Sequence, residues 1–145
     1  MRFLLFDRIT KLVPGERIEG VKCVSLTEEY LRGHFDRAPT VPGTLLIESM
    51  IQLLAWCAMA THEFRQSLVL SVLEDVTVPP DLRPGHRIDL VGELTGTNAR
   101  GSMGRTSASI DGERIASVGR VLYAHAPNPE PDRLRERFRA FGGPS

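Results

Sequence analysis

The feature that most constrains this chain is an apolar stretch that follows Pro42-Gly43 and runs to Ala60. It predicts one long helix with almost no polar face, and such a helix is buried on all sides rather than laid on a surface. Glu48 and Gln52 interrupt the apolar residues, and their spacing places both side chains on the same side of the helix. A carboxylate inside a core is costly unless it is paired, hydrogen-bonded or used in chemistry. Glu48 is therefore the first candidate for a functional residue.

Composition narrows the class of protein and its partners. The 145 residues suffice for one domain with a hydrophobic core, and 41% hydrophobic with 25% charged residues is ordinary for a soluble globular protein. The formal net charge is zero, so bulk electrostatics give no support for a nucleic-acid or membrane-surface partner. The apolar part of the opening MRFLLFDRIT is too short for a signal peptide, because charged residues follow it at once. The long helix is not expected to span a membrane, because polar residues interrupt its apolar sequence. We therefore expect a cytoplasmic protein.

The two cysteines, Cys23 and Cys57, form no disulfide framework, and the chain has no spacing typical of zinc ligands. The spacing of these residues therefore gives no support for a zinc site. Cys57 lies on the buried helix and is interpreted as core filling rather than as a nucleophile.

The segments before the long helix predict a hairpin. Mixed apolar residues from Leu4 to Val13 stop at the turn-forming Pro14-Gly15-Glu16. Alternating apolar residues from Arg17 to Ser25 then predict a strand that returns beside the first. Ser25-Leu26-Thr27-Glu28 has the pattern of a capping box, which predicts a short helical turn that ends near Gly33.

After the long helix, which we expect to end between His62 and Arg65, the apolar pattern changes to the alternation of strands. Gly92 is a candidate β-bulge, and Asp111-Gly112 has the sequence of a type I′ hairpin turn. The predicted strands cover Ser67–Leu73 with a continuation at Val76–Val78, then Arg87–Thr95, Met103–Ile110 and Glu113–His125.

These elements predict an α+β domain in which a curved antiparallel sheet wraps one long helix. We assign residues 1–126 to this domain and residues 127–145 to a proline-rich linker with a short basic helix. In that tail, Leu134, Phe138 and Phe141 form one apolar stripe, which predicts packing on the chain's own sheet or on a neighbour.

His34 and Glu48 together could act as a base and an acid. An imidazole titrates near neutrality, and burial keeps a carboxyl group partly protonated. Taken alone, a histidine after a glycine is more often a solvated or hydrogen-bonded side chain. Gly33 and Gly43 allow the backbone to approach a ligand, and the free amides of Gly43 and Thr44 could bind an oxyanion. The other histidines are interpreted as surface or strand-end residues, namely His62, His86 and His125.

The segment from Gly33 to Gln52 resembles the signature of the FabZ-type 3-hydroxyacyl-[acyl carrier protein] dehydratases, GHFPGRPxMPGxLxxEAxAQ. The matching residues are Gly33-His34-Phe35, Pro39, Pro42-Gly43, Glu48 and Gln52, and the spacing from histidine to glutamate has no gap. The first hairpin and the later strand pair resemble the family as well, so the similarity runs from Phe3 to Tyr123. One departure is Asp36-Arg37-Ala38, where the family has Pro-Gly-Arg.

The resemblance implies a hot-dog fold and an enzyme without metal or cofactor, in fatty-acid or polyketide-like biosynthesis. It implies a (3R)-3-hydroxyacyl chain on acyl carrier protein that is dehydrated to a trans-2-enoyl thioester. His34 would take a proton from C2, the Gly43 amide would bind the thioester oxygen, and Glu48 would protonate the leaving hydroxyl. The remaining substrate-binding positions implied are Phe35, Pro42 and Gln52.

The family also implies homodimers, and trimers of such dimers, with each active site at a subunit interface. The histidine would then come from one subunit and the glutamate from the other. Candidates for docking the acidic carrier protein are Arg32, Arg37, Arg100 and Arg105. Two alternatives remain open on the sequence: a hot-dog acyl-thioesterase, and a non-catalytic acyl-thioester-binding subunit of a hetero-oligomer.

Overall fold

A computed structural model describes residues 4–144 as six strands, one long helix, a short C-terminal helix and a 3-10 turn. The first hairpin is β1 (Arg8–Val13) and β2 (Arg17–Cys23), followed by the 3-10 turn (Glu29–Leu31) and helix α1 (Gly43–Thr61). The later elements are β3 (Gln66–Thr77), β4 (Arg87–Thr97), β5 (Gly101–Ile110), β6 (Glu113–Pro127) and α2 (Pro131–Ala140).

The six strands form one antiparallel sheet in the order β1-β2-β4-β5-β6-β3, and α1 packs against it. This confirms the predicted α+β arrangement of one long helix and a curved antiparallel sheet. The helix ends at Thr61, with His62 as its cap, one residue before the predicted range of His62 to Arg65. By length and composition α1 would also suffice to cross a membrane, but half of it is buried inside the domain, as expected of a core helix.

Helix α1 lies close to the sheet because small residues face it. A Cβ atom added to Gly92 would come within 3.1 Å of the Leu54 side chain, and one added to Gly20 within 2.9 Å of Leu53. The predicted bulge at Gly92 is wrong: its register with β2 and β5 is regular, and the irregularity falls between Leu94 and Gly96. Gly92 therefore makes room for the helix rather than for an extra residue.

The turns show where local sequence is a reliable guide. Asp111 and Gly112 have φ angles of 49° and 80°, which confirms the type I′ hairpin between β5 and β6. The prediction of a capping box at Ser25, by contrast, is wrong. Ser25 Oγ accepts the Thr27 N–H at 3.2 Å, and the Glu28 carboxylate is held at 2.9 Å by Lys22 Nζ. Lys22 is largely buried and needs a carboxylate partner, so Glu28 does not cap the turn.

The C-terminal segment packs on the domain through aromatic rings. Phe138 is 2% exposed, and its ring lies 5.8 Å from that of Trp56 and 5.2 Å from that of Phe64. Phe141 meets Phe6 and Trp56 edge to face. The predicted apolar stripe thus faces the chain's own core, while the division of the chain at residue 126 stays a prediction.

Candidate active site

His34 lies in the loop between the 3-10 turn and α1, half-buried, with its ring orientation set by the backbone. Its Nδ1 atom is 2.7 Å from the carbonyl oxygen of Thr40, and the Thr40 N–H donates to the His34 carbonyl at 2.7 Å. A carbonyl oxygen can only accept, so Nδ1 carries the hydrogen in the neutral ring. Nε2 is then left with its lone pair, which is the form of the ring that can take a proton.

The residues that depart from the family signature form an exposed turn beside this histidine. Phe35 and Ala38 exchange backbone hydrogen bonds of 3.4 and 3.1 Å, and Asp36 and Arg37 are exposed at the tip. The Phe35 ring stacks on His34 at 4.6 Å between centroids, yet Phe35 is 61% exposed. An aromatic side chain this exposed beside a candidate base is available to contact a ligand or a partner chain.

Gly43 is the first residue of α1, and Pro42 is its N-cap, without a side chain that caps the helix by hydrogen bonding. The first amides of a helix lack intrahelical carbonyl partners and carry the positive end of the helix dipole. A Cβ atom at Gly43 would lie 2.9 Å from Cγ2 of Val78, so no side chain fits there without a shift. The helix start therefore offers N–H donors at a closely packed position.

Glu48 lies in the second turn of α1 and is half-buried. Gln52 Nε2 donates to Glu48 Oε1 at 2.9 Å, and the Leu5 N–H donates to Gln52 Oε1 at 3.0 Å. Ser49 Oγ donates to the Leu5 carbonyl at 2.8 Å. The carboxylate predicted to need a partner thus has one, and Leu5 and Ser49, which the sequence did not single out, belong to its surroundings.

Tyr123 is a second residue near Glu48 that the sequence did not single out. Burial raises the pKa of Tyr123 well above its usual value, and the charge of Glu48 raises it further. The buried hydroxyl donates to the carbonyl of Ile51. It therefore stays protonated and links β6 to α1 on the side of the helix that carries Glu48.

Within one chain, no hydrogen bond or ring contact joins His34 to Glu48 among residues 4–144. His34 is bound to its own loop, and Glu48 to the helix and to Leu5. Direct contacts within a single chain therefore do not join these two residues into one site.

Two histidines that the sequence analysis interpreted as surface or strand-end residues, His62 and His125, belong to one network. His62 Nε2 lies 2.7 Å from Thr97 Oγ1, His125 Nε2 lies 2.8 Å from Ser102 Oγ, and the two hydroxyls lie 2.7 Å apart. The ring centroids of His62 and His125 are 4.9 Å apart. Burial lowers the pKa of His125, and neighbouring His62 lowers it further. The interpretation of His125 as a surface or strand-end residue missed this network because its members lie far apart in the chain.

Of the other candidates, Cys57 is buried, and burial raises the pKa of its thiol to about 12, as expected of a residue that fills the core. Arg105 is held at 2.6 Å by Glu93. Arg32 and Arg37 are exposed in the loop that carries His34, and Arg100 is exposed in the turn between β4 and β5.

Solved structures of similar shape define the class of fold. The chain superposes with a TM-score of 0.70 on the dehydratase heterocomplex ApeI:P from Xenorhabdus doucetiae, at 18% identity, covering 90% of this chain and 88% of that one. It superposes with a TM-score of 0.68 on smu.793 from Streptococcus mutans UA159 bound to acetyl CoA, at 9% identity, covering 88% and 94%. The fold is the hot-dog fold, as the resemblance implied.

Sequence comparison identifies the family within that class. The model of the FabA-like domain matches residues 1–119. The chain is 34% identical over 119 residues to the 3-hydroxyacyl-[acyl-carrier-protein] dehydratase FabZ of Bacillus subtilis strain 168, covering 80% of this chain and 83% of the relative. It is 35% identical over 123 residues to that of Natranaerobius thermophilus, covering 83% and 85%. The chain belongs to the FabA-like family.

Proposed function

We propose that this protein dehydrates (3R)-3-hydroxyacyl thioesters on acyl carrier protein to trans-2-enoyl thioesters, in fatty-acid or polyketide-like biosynthesis. Membership of the FabA-like family and the similarity to enzymes named FabZ support this reaction. The observation that carries it is the hydrogen bond between His34 Nδ1 and the Thr40 carbonyl, since it leaves Nε2 as a base at the family's spacing from Glu48.

In the proposed mechanism, His34 Nε2 removes a proton from C2 of the acyl chain. The Gly43 amide donates to the thioester oxygen and stabilises the charge that develops there. Glu48 gives its proton to the C3 hydroxyl, the C3–O bond breaks, and the C2–H electron pair forms the double bond as water leaves. Proton transfer from the imidazolium back to the carboxylate restores both groups. Phe35, Pro42 and Gln52 are the further positions assigned to the substrate site.

We also propose a homodimer in which each active site combines His34 of one subunit with Glu48 of the other. The exposed edge of β3 supports it. Val69, Val72 and Val76 are 59%, 37% and 42% exposed on a twelve-residue strand at the end of the sheet. A long apolar edge strand is a template for pairing with another chain. The assembly of dimers into trimers is proposed from the resemblance alone.

The proposed partner is an acidic carrier protein in the cytoplasm, rather than a nucleic acid or a membrane. Arg32 and Arg37 support this choice, because both are exposed in the loop that carries His34. Arg105 is a weaker candidate, since Glu93 already neutralises its charge.

The test is mass spectrometry of carrier-bound 3-hydroxyacyl chains incubated with wild type, His34→Ala and Glu48→Gln. We expect the wild type to remove one water molecule, and each variant to lose about 10²- to 10⁴-fold in rate, the usual contribution of an acid or base. Release of free acid would indicate a thioesterase instead. An unchanged substrate would indicate a non-catalytic acyl-binding subunit. Polyketide-type and fatty acyl substrates assayed side by side would show which pathway the chain serves.

A further inference from the structure

We propose that the N-terminal strap, residues 4–7, positions Glu48 for catalysis through the side chain of Gln52. In this proposal Gln52 belongs to the substrate site as a positioning residue that acts through Glu48, and the strap determines which end of its amide faces the carboxylate. The inference rests on the proposed function, because the need to orient Glu48 follows from its role as the acid.

The strap uses both peptide groups of Leu5 to bind α1. The Leu5 N–H donates to Gln52 Oε1 at 3.0 Å, and the Leu5 carbonyl accepts from Ser49 Oγ at 2.8 Å. The sequence predicted that the first strand would include Leu5, but β1 begins at Arg8. The peptide groups that a strand would have paired with the sheet are instead bound by the side chains of Ser49 and Gln52, which are three positions apart on the helix.

The contact with Leu5 sets the polarity of the Gln52 amide. An amide side chain has one accepting end and one donating end, whereas a backbone N–H can only donate. Gln52 Oε1 therefore faces Leu5, and Nε2 faces Glu48 Oε1 at 2.9 Å. The reversed amide would place two donors against each other at Leu5 and two acceptors at Glu48. Glu48 Oε1 accepts the hydrogen bond from Gln52. In this proposal the other carboxyl oxygen of Glu48 therefore carries the proton to the substrate.

The strap is held in place by contacts with the C-terminal segment and with β2. Phe6 is 1% exposed and packs edge to face on Phe141, with ring centroids 6.2 Å apart. Asp7 bonds to β2 twice, from its N–H to the Val21 carbonyl at 2.8 Å and from the Cys23 N–H to its carboxylate at 2.6 Å. Phe141 lies beyond the residues that match the family model. The strap therefore has the rigidity that a positioning element requires.

A latch of the same kind at the other end of α1 provides a matched control. Thr61 Oγ1 accepts the Gly15 N–H at 2.8 Å and donates to the Cys57 carbonyl at 2.7 Å. It ties the turn between β1 and β2 to the last helical turn, as Ser49 and Gln52 tie the strap to the turn of Glu48. Thr61→Ala removes a comparable structural contact but leaves the surroundings of Glu48 unchanged.

The experiment compares kcat, KM and thermal stability for wild type, Leu5→Pro, Gln52→Ala, the double variant and Thr61→Ala. Proline at position 5 removes the N–H that orients the amide. We expect Leu5→Pro and Gln52→Ala each to lower kcat about 10- to 100-fold with KM within about twofold, the scale of a misplaced catalytic group. The kcat of the double variant should be no lower than that of Gln52→Ala, because both changes act through one contact. Thr61→Ala should lower stability without lowering kcat.

Additive losses of kcat in the double variant, or an unchanged kcat in Gln52→Ala, would overturn the proposal. A second measurement does not depend on turnover: the side-chain amide resonance of Gln52, identified by its loss in Gln52→Ala. We expect slow hydrogen exchange of this amide in the wild type and at least about tenfold faster exchange in Leu5→Pro. Equal exchange in both would refute the role of the strap. A wild type without dehydratase activity would instead refute the proposed function, and the exchange measurement would still decide whether the strap orients the amide.

Discussion

Replacing Gly43 by alanine tests whether the first amide of α1 acts as the oxyanion donor. The new Cβ atom would lie 2.9 Å from Val78 Cγ2 and 3.3 Å from Val78 Cβ. Ordinary van der Waals contact begins near 3.4 Å, so the helix start or Val78 must move by about 0.5 Å. The backbone of Gly43 needs no positive φ. The backbone conformation therefore allows alanine at this position, so any loss of activity in Gly43→Ala can be assigned to the steric contact with Val78.

The magnitude follows from the geometry of the hydrogen bond. An oxyanion donor works within about 2.7–3.1 Å of the oxygen, so a displacement of about 0.5 Å takes it out of that range. Loss of one such donor costs about 10²- to 10³-fold in kcat. Overpacking at the same time costs about 1–3 kcal/mol of stability. We expect Gly43→Ala to lose at least about tenfold in kcat, with a lower Tm.

The assay is steady-state dehydration of a carrier-bound substrate, together with thermal unfolding. Val78→Ala combined with Gly43→Ala removes the two closest methyl groups and should restore most of the kcat. Gly96→Ala is the matched control, because a Cβ atom there meets nothing within 4 Å. A Gly43→Ala variant as active as the wild type would refute the role of this amide. A double variant as impaired as Gly43→Ala would refute the steric explanation.

Three further predictions follow from burial and exposure. Folding lowers the pKa of His125, so as the pH falls the unfolded chain binds a proton at this residue before the folded chain does. The free energy of unfolding should therefore keep its full value above about pH 6.5 and decrease below it. Thermal unfolding measured at several pH values should show a smaller decrease in stability for His125→Gln. Val72→Lys should weaken a dimer formed through β3 in analytical ultracentrifugation, whereas Leu26→Lys, a residue 66% exposed and outside β3, should not. Phe138→Ala should cost about 3–5 kcal/mol and shift the fluorescence of the single tryptophan, Trp56, to longer wavelength; an unchanged spectrum would show that α2 does not cover that ring.

The family and the main elements could be predicted because their signals are local. An apolar run without a polar face predicts a core helix wherever it lies, and Asp111-Gly112 suits a type I′ turn by its own backbone preferences. The motif from His34 to Glu48 lies within one continuous segment. Two of the failures, at Ser25 and Gly92, came from local patterns whose residues meet distant partners: Glu28 of the Ser25 pattern binds the buried amine of Lys22, and Gly92 makes room for the side chain of Leu54.

The sequence by itself determined the hot-dog class, the candidate base and acid, and the anomaly of a carboxylate in an apolar helix. Only the tertiary structure decided which nitrogen of His34 is free, that Leu5 orients Gln52, and that His62 and His125 share a network. The physical reason is that buried polar groups must find partners, and those partners are chosen by proximity in space. Periodicity in the sequence indicates which side chains face the core, but the chain must fold before distant donors and acceptors meet.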